Sequence, residues 1–131
     1  MTRRFAILDD NDRVLAERLD ALAAALPTLL RPRVAAAVVI GSVAEGLARD
    51  ESDVDVVLVL ADEAPRRAHY RWWDVEVAPR LPRKPRFPVQ PIFIGRESVH
   101  TEEPTLRAAL EHGLRLWDPE GLLDDQSPAR A

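Results

Sequence analysis

Gly41-Ser42-Val43-Ala44-Glu45-Gly46-Leu47-Ala48-Arg49-Asp50-Glu51-Ser52-Asp53-Val54-Asp55-Val56 joins a small-residue turn to two carboxylates one residue apart at the head of an apolar run. Before it, residues 34–40 are β-branched and alanine-rich, which reads as a buried strand with Gly41-Ser42 as its tight exit. Residues 43–48 read as a short helix and 53–60 as a second strand. Backbone N–H groups at the start of such a helix can face an anion, and the carboxylates can face its metal. The stretch therefore has the layout of a holder for a metal-bound phosphate chain.

Alternation along the second strand puts Asp53 and Asp55 on one face and Val54, Val56 and Leu58 on the other. Residues at i and i+2 of a strand stand roughly 6.5–7 Å apart, so both side chains can converge on one hard cation. Without a cation, two acids at the head of a central strand repel each other. A second metal about 3.5–4 Å from the first would need a further carboxylate. The chain offers Glu76 in Val75-Glu76-Val77 and Asp74 in Trp73-Asp74-Val75, with Glu76 the preferred choice. Ser42 and Glu45 also form a capping-box pair, a purely structural role compatible with phosphate holding.

Outward from this centre, Asp9 to Asp12 supply N-cap candidates. Leu15, Leu19, Leu22, Leu26 and Leu29 then recur on one helical face until Pro32 prevents continuation. Residues 61–67 form a charged, proline-containing turn too short for a full crossover helix, so 70–78 reads as a returning antiparallel strand. In that strand Trp72 and Trp73 face opposite ways and one of them enters the core. The basic, proline-punctuated loop from Pro79 to Pro88 follows, then a fourth strand over 89–94 whose Pro91 marks an edge or irregularity. Residues 104–111 read as a helix stopped by Gly113, and 114–117 as a last short strand. The expectation is one domain over residues 1–123 with a tail at 124–131, built as an α/β (α+β) mixed sheet of four to five strands flanked by helices.

Composition narrows the functions. A chain of 131 residues, 47% hydrophobic, can bury a real core but has little room for a separate substrate domain. A formal net charge of −4 provides no general field for nucleic acid, which is not the leading partner. There is no cysteine, which excludes disulfides, thiolate zinc sites and thiol catalysis and makes the cytoplasm the default compartment. No run approaches the roughly 20 apolar residues of a membrane span, so no membrane association is expected. The Gly-Lys-Ser/Thr of a P-loop and the dinucleotide-binding glycine pattern are both missing. His69, His100 and His112 lack metal-ligand spacing and read as surface or helix-end residues. Arg80, Arg83, Lys84 and Arg86 read as a solvated loop, and Ser98 has no base near it in sequence.

Gly41-Ser42, ten intervening residues and Asp53-Val54-Asp55 resemble the signature of the minimal nucleotidyltransferases of the DNA polymerase β superfamily, with Ala44, Gly46, Arg49 and Ser52 matching its extended form. The likeness is close over residues 33–61. It implies that Gly41 and Ser42 contact the β- and γ-phosphates of a nucleoside triphosphate, ATP in the leading case, and that Asp53 and Asp55 bind Mg2+; the third carboxylate is left ambiguous between Glu76, the preferred choice from the residues, and Asp74. An acceptor oxygen would attack the α-phosphate, a nucleoside monophosphate would be transferred and pyrophosphate released. Members of this kind are often paired with HEPN-domain proteins, and similar antitoxins add AMP to a tyrosine of the HEPN toxin. A contact-acting antitoxin without turnover is the alternative. An antibiotic-modifying type of enzyme would need an acceptor pocket formed across a homo-oligomer. In the family the third acid usually follows a longer crossover than the one read here.

Overall fold

Two β-branched runs pair first. The computed structural model describes residues 10–41, 53–81 and 88–126, and in it β1 (Val34–Ile40) lies antiparallel to β2 (Val54–Leu60) with Ile40 opposite Asp55. Both strands are buried along almost their whole length, as expected of apolar runs covered on both faces. β3 (Val89–Ile94) adds parallel to β2, and β4 (Leu114–Trp117) adds antiparallel to β1, giving the mixed order β3-β2-β1-β4. The α/β class and four-stranded mixed sheet expected from the sequence are present.

Each face of the sheet is covered by a different helical layer. On one face α1 (Asp10–Leu30) buries Leu19, Leu22, Leu26 and Leu30 against Val54, Val56, Leu58 and Leu60. On the other, α3 (Pro104–His112) and the turns Arg96–His100 and Leu122–Gln126 enclose Ala36, Val38, Val57 and Val59 with Leu110, Val99 and Leu123. Regular structure thus continues past Leu123, where Asp124 accepts a hydrogen bond from Arg115. No helix among the described residues is long and apolar enough to cross a membrane.

The segment read as a returning strand over 70–78 is helical. α2 (Arg67–Trp72) winds on through a π-helical turn, Trp73–Val77, and a 3-10 turn, Ala78–Arg80. The alternation of Trp73, Val75 and Val77 suggests a strand, but His69, Trp73 and Val77 are also spaced by four residues, and those three are buried while Val75 is 63% exposed. Burying the His69, Trp73 and Val77 stripe wins over the alternation. Trp73 is the core tryptophan, whereas Trp72 is partly buried with the Arg33 guanidinium 4.9 Å from its ring centroid. This helical segment is the crossover that connects the parallel strands β2 and β3.

His69, expected at the surface or a helix end, sits in the first turn of α2 and is buried. It is 1% exposed, with Nδ1 accepting a hydrogen bond from the Arg66 N–H at 3.0 Å and Nε2 3.4 Å from the Glu63 carboxylate. At the β3 edge, Pro91 has no N–H to offer, and the Phe93 N–H on the same side of the strand donates to the Tyr70 hydroxyl at 3.0 Å. That edge is therefore protected against adding a further strand.

Gly113 stops α3, but for a reason other than left-handed geometry. Its φ is −73°, and a Cβ there would stand 2.6 Å from Val38 Cγ2 and 2.9 Å from the Val39 carbonyl oxygen. The glycine lets the end of α3 lie directly on β1. Gly113→Ala is expected to lower unfolding free energy by about 1–3 kcal/mol through overpacking, measured by urea denaturation, with the same family of contacts retained in the variant's spectrum.

Candidate functional site

The site is built at the place where β1 ends and β2 begins. The face of β2 that carries Val57 and Val59 into the core beneath α3 emerges from that core at Asp55 and then Asp53, because side chains two residues apart share a face. Asp55 is partly buried between Ile40 on β1 and Gln90 on β3, its two register partners, and Asp53 just before the strand is exposed. The Val54 N–H donates to the Pro88 carbonyl at 2.7 Å, which secures the strand between the two acids to the start of β3.

Gly41 completes the corner. Its φ of +78° lies in the left-handed region that favours glycine, and a Cβ built there would be 3.1 Å from Asp55 Oδ2. The absent side chain leaves the Asp55 carboxylate against the backbone at the strand exit. Gly41, Asp53 and Asp55 therefore stand at one corner of the sheet. Ser42 and the expected helix at 43–48 lie outside the described residues, as do residues 82–87 of the basic loop.

Electrostatics single out Asp55. Burial, and secondarily the Asp53 carboxylate beside it, push its pKa above the ordinary value of 3.8. A divalent cation between the two acids would relieve the second of these causes and offset the first, so the chemistry of the pair suits one hard cation. Without a cation the sign runs against stability at neutral pH. The folded state holds the Asp55 proton more tightly than the unfolded chain, so the contribution is fully present below the unfolded pKa and is lost as pH rises through the folded one. Asp55→Asn is expected to raise stability in metal-free buffer near neutral pH by a few tenths of a kcal/mol, the scale of like-charge neighbours in sheets. The gain should shrink as pH is lowered toward about 4; urea titrations across that range check it.

Glu76 and Asp74 are not brought to this corner. Both are exposed on the π-helical turn, whose buried residues Trp73 and Val77 pack into the cluster on the opposite face of the sheet. The Glu76 carboxylate is 3.9 Å from the Arg80 guanidinium, four residues on. Among the described residues no three His, Asp or Glu side chains gather into a metal-holding group. The residue that the sheet does place beside Asp55 is Gln90, which sequence reasoning passed over. Its signal was the run from residue 89 to 94, in which Gln90, Ile92 and Ile94 share a face, but the register with β2 is a nonlocal fact.

A family model described as nucleotidyltransferase domain matches residues 19–115, from the middle of α1 into β4 and across the whole corner. The chain belongs to the nucleotidyltransferase domain family. No curated protein matches it. Nucleotidyl transfer is thus the general activity supported for this nucleotidyltransferase domain, and transferase its enzyme class. The matched span includes the Gly41 exit and the head of β2.

Proposed function

We propose that this nucleotidyltransferase domain transfers AMP from ATP to an acceptor, with Asp53 and Asp55 holding the Mg2+ that accompanies the triphosphate. The observation that carries the reading is the placement of the Asp55 carboxylate at the corner of β1 and β2, two residues from Asp53 and against the side-chain-free Gly41. Gly41 leaves the backbone at the strand exit open to close approach by phosphate, with Ser42 next in the chain. Asp55, held in the ladder of a buried strand, and Asp53, next to Val54 whose N–H is held by the Pro88 carbonyl, need little reorganisation during the reaction. A bound divalent cation would neutralise charge on the triphosphate while an acceptor oxygen displaces pyrophosphate from the α-phosphorus. The acceptor is assigned as a protein tyrosine on a HEPN-type partner in the cytoplasm, on the strength of the resemblance of Gly41-Ser42 and Asp53-Val54-Asp55 to minimal nucleotidyltransferases.

One observation favours a second reading. Glu76 and Asp74 face solvent on the opposite layer, so they do not supply a third acid, and a module that binds nucleotide and acts on its partner by contact needs none. Incubation of the protein with Mg2+ and α-labelled ATP, alone and with cell lysate, separates the two, with the Asp53→Asn/Asp55→Asn double variant as control. Labelled protein or released pyrophosphate seen only with both aspartates intact supports transfer. Mg-ATP binding without label supports the contact module, and loss of both removes the nucleotide reading.

A further inference from the structure

The row of side chains that ends in the two aspartates extends sideways into β3. In the parallel register Val57 faces Ile92 and Val59 faces Ile94; Val57, Val59 and Ile94 lie in the cluster beneath α3 and Ile92 packs against it. The next pair in the same register and on the same face is Asp55 and Gln90. Adjacent strands are about 4.8 Å apart, so the side chain at position 90 is the nearest neighbour that β3 offers to the Asp55 carboxylate. Gln90 is exposed, and it stands at an edge strand whose other side is protected by Pro91 and Tyr70.

Two divalent cations about 3.5–4 Å apart repel strongly, and sites that hold such a pair do so with carboxylates placed around both. Among the described residues, position 90 is where a further acid would stand beside Asp55, and the residue there is a neutral amide. An amide oxygen can meet a cation's hydration shell but brings no charge to offset a second dication. We infer that Gln90 restricts this corner to a single divalent cation, the one that arrives with the triphosphate. This rests on the reading of Asp53 and Asp55 as cation ligands. It makes Gln90 a residue that sets how many metals the site takes, and it links the contact-module reading to a particular side chain.

The test is calorimetric titration of the full chain with Mn2+ in the presence of a non-hydrolysable ATP analogue, for the wild type, Gln90→Glu and Gln90→Leu. The expected stoichiometry is one Mn2+ per chain for the wild type and for Gln90→Leu, and two for Gln90→Glu. Two Mn2+ on the wild type, or only one on a folded Gln90→Glu chain, overturns the inference while leaving the aspartates as ligands. A wild type that binds the analogue equally well with and without Mn2+, or binds neither, overturns the reading of Asp53 and Asp55 themselves, and the inference with it. Because Gln90 is exposed and Glu differs from it by one amide group, the variant is expected to fold.

Discussion

Replacing Asp53 or Asp55 by asparagine is expected to reduce Mg-dependent nucleotide binding or transfer on the order of 100-fold or more, with the fold retained. Asparagine keeps the shape of each side chain and removes its charge, so the comparison isolates the electrostatic contribution. Asp55 carries the clearer expectation because burial and its neighbour already disfavour its ionised form, a cost that a cation would offset. Asp55→Asn should therefore lose function and gain stability in metal-free buffer, a combination that a merely structural residue would not show. Equilibrium binding of labelled ATP with and without Mg2+, paired with urea denaturation, measures both. Activity at the wild-type level in both variants would remove these residues from the site.

The second large effect concerns the core beneath the crossover. Trp73→Ala is expected to destabilise the fold by about 3–5 kcal/mol, a large share of the roughly 5–15 kcal/mol typical of a domain. Trp73 is fully enclosed by the cluster that also contains Leu22, Leu26, Val56 and Phe93. Val75→Ala, two residues away, should change stability by less than about 0.5 kcal/mol because Val75 faces water. A strand through this segment would put both side chains on one buried face and make both substitutions costly. Chemical denaturation of the pair thus measures the helical crossover directly, and equal losses from the two variants would contradict it.

Much of the site was legible before the fold. The apolar β-branched runs over 34–40 and 54–60 can be satisfied only as buried strands, and the leucine stripe of α1 only as a helix packed on them. With residues 53–60 read as a strand, the shared face of Asp53 and Asp55 follows from the two-residue repeat of the backbone, and β2 in fact begins one residue later, at Val54. Gly41 at the strand exit was legible for the same local reason, and its positive φ and close approach to Asp55 bear out the tight turn. Pro91 at the sheet edge and Gly113 at the end of α3 were also readable, although Gly113 serves close packing on Val38 rather than a left-handed cap.

The segment from 69 to 77 carries both a two-residue and a four-residue apolar repeat, so periodicity alone could not decide its structure. Packing decided it: the His69, Trp73 and Val77 stripe finds a buried surface on the sheet only as a helix, and that choice turns Asp74 and Glu76 outward on the wrong layer. It also converts the connection into a crossover and makes β3 parallel to β2. Local chemistry thus determined the strand exit at Gly41 and the aspartate pair. Which residue stands beside them, Gln90 rather than a third acid, depends on a register between strands far apart in sequence, which only the assembled sheet establishes.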